Sequence, residues 1–330
     1  MNKIRVAFIY HESNVVLSGS HYDNTYYHFF MKALKRNEQI KVTYFATKDT
    51  FDSLVLKDKF DIILLWQNSI FGMPKKIFNI KNLKIPVIAK YGDPDDAKNS
   101  IKYHKEWKID HYFHFHPPSV MAKFYPKHFQ YKSIHFGLEK SLYQNINSFK
   151  NRIKNKILNS GVVGSNKITN KIYWFLRDRS NVNPYIGYKL RTMCNELPYV
   201  DYTSTLKHKY VNDNYTLLLQ KYCAGIASTS DSPTIKYWEI AASGCLTFME
   251  ITDKNCGKEI IEFEDGKSAI FINENNHKKK FEEYLSDCDN PKWEEIAENG
   301  RKIALEKYNN DKGIESLVEL MHELLNQNKK

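Results

Sequence analysis

The residues best suited to chemistry run from Ser228 to Glu250. Within that run Ser232 suits a helix N-cap, Pro233 the first helical position and Gly244 the stop, so the spacing predicts a short helix from about Thr234. It follows a β-rich stretch ending near Ser228, which would aim the free N–H groups at Thr234 and Ile235, and the positive end of the helix dipole, out of a sheet edge. That is an anion site, with a diphosphate as its natural occupant. Lys236 adds a positive charge in the first turn, and Glu239 stands at a distance that suits a carboxylate accepting from two ribose hydroxyls. The same residues also compose an ordinary capped helix carrying a solvated Glu239.

The elements that must position this run are read from hydrophobic periodicity. Short apolar stretches at Val6–Tyr10, Val42–Phe45, Ile62–Trp66, Val87–Ala89, Tyr112–Phe115 and Ser133–Phe136 alternate with helical segments at about 23–36, 50–58, 73–79, 96–106 and 118–124. Several strands lack polar alternation, as expected where both faces are covered. This is a doubly wound domain over 1–145. An Asn- and Lys-rich stretch at 139–156 reads as a linker, and the alternation restarts over 146–312. There the strands are Ile157–Val163, one near Tyr199, Ala224–Ser228, Leu246–Phe248 and Ala269–Ile272, with helices at about 169–179, 184–196, 212–222 and 234–243. Two helices finish the chain, the last (313–330) with Ile314, Leu317, Val318, Met321, Leu324 and Leu325 on one face. The fold class is therefore α/β, with two doubly wound Rossmann-like domains whose strand ends face an interdomain cleft.

Composition narrows the classes of function. The 330 residues are 42% hydrophobic and 26% charged, which argues against disorder and collagen-like repeats. No apolar run approaches the ~20 residues of a membrane-spanning helix, and no secretion signal is visible at Met1–Tyr10. Cys194, Cys223, Cys245, Cys256 and Cys288 form no Cys-x-x-Cys pair, so buried thiols in a reducing cytoplasm are expected rather than a zinc site. The net charge of +11 asks for an acidic partner, but no compact basic motif with interleaved aromatics points to nucleic acid.

The run from Asp231 to Leu246 resembles the acidic motif of GT-B glycosyltransferases of the family 4 type and of the related CgeB-like proteins. In that motif two glutamates flank a seven-residue gap and a glycine turn follows. Here Asp231 and Glu239 hold those positions, followed by Ile-Ala-Ala-Ser-Gly244-Cys-Leu246, so the first acid is one methylene shorter and Leu246 replaces the usual proline. The segments Gly257–Ile272, Trp293–Arg301 and Ser133–Tyr143 are similar to further parts of the family pattern. The resemblance implies a GT-B fold whose last helix crosses back onto the first domain. It also implies that sugar is moved from a UDP- or GDP-linked donor to a hydroxyl acceptor, a glycan or lipid-linked precursor, with retention. Glu239 would then hold the ribose and Asp231 contact the transferred sugar. No cofactor and no essential metal are implied.

Further positions follow from the same resemblance. The family often has Gly-Arg with a lysine six residues on; this chain has Gly164-Ser165 and Lys171, so Lys171 is kept for the diphosphate and the arginine is lost. Arg177, Arg179 or Lys167 are expected to compensate. Gly19, before the first helix, resembles a glycine loop that admits donor phosphates. Asp93, after the strand ending at Ala89, is the acceptor-side candidate for a base or hydroxyl-orienting group, although a turn-forming Asp before Pro94 fits equally. Tyr202 and Thr203 lie in a stretch similar to the loop that receives the base. His111, His114 and His116 alternate along one apparent strand and are expected on one face in a structural role. Two alternatives remain: a nucleotide-sugar 2-epimerase, and a non-catalytic nucleotide-sugar binding module.

Charge distribution adds a last expectation. From Lys150 to Arg179 there are eight basic residues and one acidic. This segment would draw in a nucleotide diphosphate, or hold a cytoplasmic protein against the anionic inner face of a membrane.

Overall fold

The computed structural model describes residues 3–12, 26–67, 72–92, 97–164, 168–177, 185–203, 214–229 and 231–327. The chain divides into two units, residues 1–137 with 310–330, and residues 138–309. The first contains β1 (Ile4–His11), α1 (Tyr26–Arg36), β2 (Ile40–Thr47), β3 (Thr50–Asp52), β4 (Ile62–Leu65), β5 (Lys76–Phe78) and β6 (Val87–Lys90), then α2 (Ala97–Trp107), β7 (His111–His114), α3 (Pro118–Phe124) and β8 (Tyr131–Ser133). The second contains β9 (Ile153–Ser160), α4 (Ile168–Arg177), α5 (Lys189–Cys194), β10 (Val200–Thr203), α6 (Asn214–Leu219), β11 (Tyr222–Ala227) and α7 (Ile235–Ala242). It continues through β12 (Leu246–Glu250), β13 (Ile270–Ile272), α8 (His277–Ser286) and α9 (Pro291–Lys307), and α10 (Asn310–Gln327) returns to the first unit.

In the first unit the sheet order is β2-β1-β4-β6-β7-β8, parallel throughout. β4 and β6 are buried along their whole length, which is why their residues are apolar, with Lys90 at the end of β6 the one exception. Phe30 of α1 packs against Phe113 and Phe136, with ring centroids 6.0 and 5.2 Å away. α10 lies against α1 and buries Ile314, Leu317, Val318, Leu320, Met321 and Leu324, so its apolar stripe has found its partner. Asn310 accepts from the Gly137 N–H at 2.6 Å, and Gly313 lets the helix run directly against the His135 carbonyl, where a Cβ would collide with that oxygen. Gly313→Ala is expected to cost about 2–4 kcal/mol, read as a lower midpoint in chemical unfolding. An unchanged midpoint would refute the close approach.

Differences from the expected elements have local causes. The segments at 50–58 and 73–79 are not helices: β3 and β5 pair as a separate two-stranded sheet. Asp52, whose carboxylate accepts from Leu54 N at 3.0 Å, starts only a 3₁₀ turn. These pieces are too short and too rich in β-favouring residues to hold a helix. The last strand of the first sheet ends at Ser133 instead of starting there, and Ile134 N still donates to His114 O at 2.8 Å. The supposed linker carries two 3₁₀ turns that bury Tyr143 and Phe149, followed by the first half of β9. Three helices, not two, follow β13. His111 and His114 differ by an odd offset and so point to opposite faces: His114 stacks on His116 at 4.3 Å and on Tyr91 at 4.8 Å, whereas His111 lies toward Lys132 and Glu323. Burial lowers His114 well below the usual imidazole range and His116 to about 3, with Lys90 adding to both, so these rings are neutral packing groups.

In the second unit the order is β10-β9-β11-β12-β13, again parallel. Its core joins Ile157, Ala224, Ile226, Leu246 and Phe248 of the strands to Leu190, Cys194, Phe281, Tyr284, Trp293 and Ile296 of the helices. The chain leaves β9 toward β10 on one side and returns to β11 on the other. This reversal leaves a crevice beyond the carboxyl ends of β9 and β11, where ligands of such sheets bind.

Candidate functional site

Three elements converge on that crevice. β9 ends at Ser160, and the chain turns at Gly161, whose φ of +107° belongs to the region that favours glycine. A Cβ there would stand 2.6 Å from Lys236 Nζ and 2.7 Å from Arg191 Nη1, so two cationic groups occupy the space that a side chain would fill. Arg191, on α5, is buried; its Nη1 donates to Val162 O at 3.3 Å, its Nη2 to Ser228 O, and its ring-like plane lies 4.6 Å from the Tyr188 ring. Its Nε is buried with no partner among the described residues. Lys236, in the first turn of α7, donates to Ser160 O. Among the described residues neither cation forms an ion pair. The nearby Glu250 instead accepts from the Ser228 hydroxyl and, at 3.1 Å, from Thr229 N.

Burial sets the charge states. Lys236 lies well below the usual ammonium range, first because it is desolvated and then because Arg191 repels it, with Glu239 opposing. Glu239, one turn further along α7, is pushed up to about 7 by burial, with Lys236 drawing it down. No described residue donates a hydrogen bond to its carboxylate. Tyr143 and Tyr215 lie near enough to have their own phenols raised by it, after burial, and Tyr215 OH is 2.8 Å from Ser160 Oγ. The site thus holds two unpaired cations and one acceptor-only carboxylate without donors. Desolvated groups in that state gain most from a ligand that is anionic at one end and bears hydroxyls at the other.

The helix start differs from expectation. Thr234 is the N-cap, α7 begins at Ile235, and Pro233 and Ser232 precede the cap; Thr234 makes no side-chain capping bond. Tyr237 N donates to Thr234 O at 2.9 Å, and the N–H groups of Ile235 and Lys236 have no acceptor among the described residues. Gly244, with φ +74°, follows the C-cap Ser243 as the stop signal implied.

The remaining candidates fall around the crevice or beyond the described residues. Gly164 N donates to Thr192 Oγ1 at 2.9 Å, and its Cα lies against the Tyr185 ring. Tyr202, at the end of β10, donates its hydroxyl to Gly161 O at 2.7 Å, and the Thr203 carbonyl accepts from Gly161 N at 3.2 Å. Asp231 lies in the loop between β11 and α7, partly exposed. Lys171 is on α4. Gly19, Asp93, Ser165, Lys167 and Arg179 lie outside the described residues. Arg191 was not among the expected cations. It stands in a helix with Leu190 and Cys194 buried beside it, and the only sequence signal was an arginine on an otherwise apolar helix face.

A pocket of about 800 Å³ opens among Asn147, Arg152, Gly244 and Arg301. These residues precede β9 and β12 or face them from α9, at the opposite edge of the sheet. Arg152 and Arg301 there are tied to the carbonyls of Asn147 and Tyr143 at 3.1 and 2.7 Å, so they fasten the 144–148 segment. Among the described residues no group of three or more His, Cys, Asp or Glu is placed to hold a metal, and no helix is long and apolar enough to cross a membrane.

No protein-family model matches the chain, and no curated protein matches it in sequence. Solved structures do match in fold. A glycosyltransferase from Rickettsia africae is 12% identical with a TM-score of 0.56, the match covering 98% of this chain and 99% of that one. HepE of Anabaena in complex with UDP-glucose is 11% identical with a TM-score of 0.56, over 97% of this chain and 100% of that one. Sucrose-phosphate synthase of Thermosynechococcus elongatus is 10% identical with a TM-score of 0.55, over 98% and 100%. With two parallel Rossmann-like sheets and a last helix that returns to the first unit, the chain has the GT-B fold that these proteins share.

Proposed function

We propose that the protein is a nucleotide-sugar glycosyltransferase that moves a sugar from a UDP- or GDP-linked donor to a hydroxyl acceptor, a glycan or lipid-linked precursor, with retention, in the manner of the CgeB-like branch. The observation that carries this reading is the pair of cations, Arg191 and Lys236, over Gly161 at the end of β9, neither ion-paired among the described residues, with the Glu239 carboxylate, to which no described residue donates, one turn along α7. The bound UDP-glucose of HepE supports the choice of ligand class.

In this reading the diphosphate sits on Arg191, Lys236 and the free N–H groups at Thr234 and Ile235, with Lys171, Gly164 and Gly19 completing its surroundings. Glu239 accepts from the ribose hydroxyls, Tyr202 or Thr203 meets the base, and Asp231 holds the sugar. The bond between the anomeric carbon and the diphosphate oxygen breaks as the acceptor oxygen bonds to that carbon. The acceptor proton passes to a base, for which Asp93 is the candidate. The leaving diphosphate gains negative charge, and fixed cations in a desolvated crevice stabilise that charge with little reorganisation. A panel of sugar nucleotides, assayed for released nucleoside diphosphate, tests the activity. Release from one donor class is expected, whereas release from none, or formation of an epimer without acceptor, would overturn it.

A further inference from the structure

We propose that the cavity among Asn147, Arg152, Gly244 and Arg301 is a second anion site, built for the phosphate monoester of a small hydroxylated molecule such as a sugar phosphate. It lies wholly in the second unit, at the amino ends of β9 and β12, whereas the crevice at Gly161 lies beyond the carboxyl end of β9. Its floor is a pair of guanidiniums. Arg152 is 6% exposed; its Nε and Nη2 donate to Asn147 O at 3.1 and 2.5 Å, and its Nη1 makes only a long contact of 3.8 Å to Cys245 Sγ. Arg301 donates from Nη2 to Tyr143 O at 2.7 Å, and its Nε is buried with no partner among the described residues. A guanidinium carries five N–H groups, so most of those on Arg301 have no acceptor among the described residues. The two side chains repel each other: Arg301 is held below the usual guanidinium range first by burial and then by Arg152, with Glu298 opposing, and neither forms an ion pair among the described residues. Gly244 makes room for Arg152, because at its φ of +74° a Cβ would stand 2.7 Å from Ile146 Cδ1 and 3.2 Å from Arg152 Nη2.

The lining selects the ligand. Two mutually repelling cations on one floor call for more than one negative charge. A phosphate monoester brings about 1.5 to 2 charges at neutral pH and three acceptor oxygens that match guanidinium forks, whereas a carboxylate brings a single charge. The cavity, about 800 Å³, is far larger than a phosphate group and has the size of pockets that take small organic molecules. Nearer solvent, Gln144, Asn145 and Ser148 add amide and hydroxyl groups suited to the hydroxyls of such a molecule. Glu294, Glu298 and Glu306 outnumber Lys302 on the same outer lining. Those carboxylates repel an extended polyanion, so a nucleic-acid strand or an anionic membrane fits poorly, while a small monoester passes between them to the arginines.

Calorimetric titration of inorganic phosphate, glycerol 3-phosphate, glucose 6-phosphate and glucose into the full chain tests the proposal. The three phosphates are expected to bind, glucose 6-phosphate most tightly, and glucose alone is not. Arg301→Ala is expected to weaken glucose 6-phosphate by roughly 30-fold, and Arg301→Lys, which keeps the charge but not the planar fork, by about fivefold. Arg191→Ala, in the nucleotide crevice, should leave that affinity unchanged, so the site stands or falls separately from the proposed function. If Arg301→Ala does not fold, Arg301→Lys decides the matter. No binding of any phosphate to wild type, glucose 6-phosphate held no more tightly than inorganic phosphate, wild-type affinity in Arg301→Lys, or loss of binding in Arg191→Ala would each overturn the inference.

Discussion

Replacing Arg191 by alanine is expected to weaken binding of the cognate nucleoside diphosphate by roughly 100-fold, the loss of two charge-assisted hydrogen bonds to phosphate. Arg191 is fixed from behind by Val162 O and Ser228 O while its Nε has no partner among the described residues, so the guanidinium is held ready before any ligand arrives. Lysine at this position keeps the charge but not the planar fork, and about tenfold loss is expected. Thermal melts of both variants separate a binding effect from damage to α5. An alanine variant that melts like wild type and binds UDP and GDP like wild type would remove Arg191 from the site.

Glu239→Gln is expected to move stability and binding in opposite directions. Burial raises the folded-state value of this carboxyl from 4.5 to about 7. Between those two values the folded chain retains a proton that the unfolded chain has released. Stability therefore falls as pH rises through that window, and the penalty is complete above about 7. A shift of this size corresponds to about 3 kcal/mol, and the partial exposure of Glu239 trims the expected penalty to roughly 1–2 kcal/mol. The glutamine variant should accordingly unfold later than wild type at pH 8, and the gain should vanish near pH 4. Its affinity for nucleoside diphosphates should drop about tenfold or more, because one oxygen that accepted from a ribose hydroxyl becomes an amide donor. Wild-type affinity should rise as pH passes about 7 and the carboxylate ionises, while the variant stays flat. A variant less stable than wild type at pH 8 would show that Glu239 is satisfied by the fold itself.

How far the sequence could be read depended on the range of the interactions involved. The stripe of α10 was legible because one period runs through it, and only Leu320 escaped it. Gly244 was legible because helix stops are local. The two-stranded β3–β5 sheet was not, because each strand takes meaning only from the other, and Thr50 pairs with Lys76 far along the chain. The odd offset between His111 and His114 was in the sequence and still misled, since the triplet of histidines drew attention from its spacing. The replacement for the arginine missing at Ser165 was sought among nearby cations, Lys167, Arg177 and Arg179. Arg191 instead reaches the end of β9 from α5, a position set by the β9–β10 crossover and invisible to local patterning. Folds of this kind bring site residues together from several strand ends, so a single stretch such as Ser228–Glu250 shows only part of the site.

In the proposed function the crevice at Gly161 holds the diphosphate of a sugar nucleotide. A crystal structure of the protein with its nucleoside diphosphate tests it most directly. Phosphate oxygens are expected within hydrogen-bond distance of both Arg191 and Lys236, with the ribose hydroxyls on Glu239. A nucleotide seated elsewhere on the chain, with Arg191 and Lys236 still bare, would contradict it.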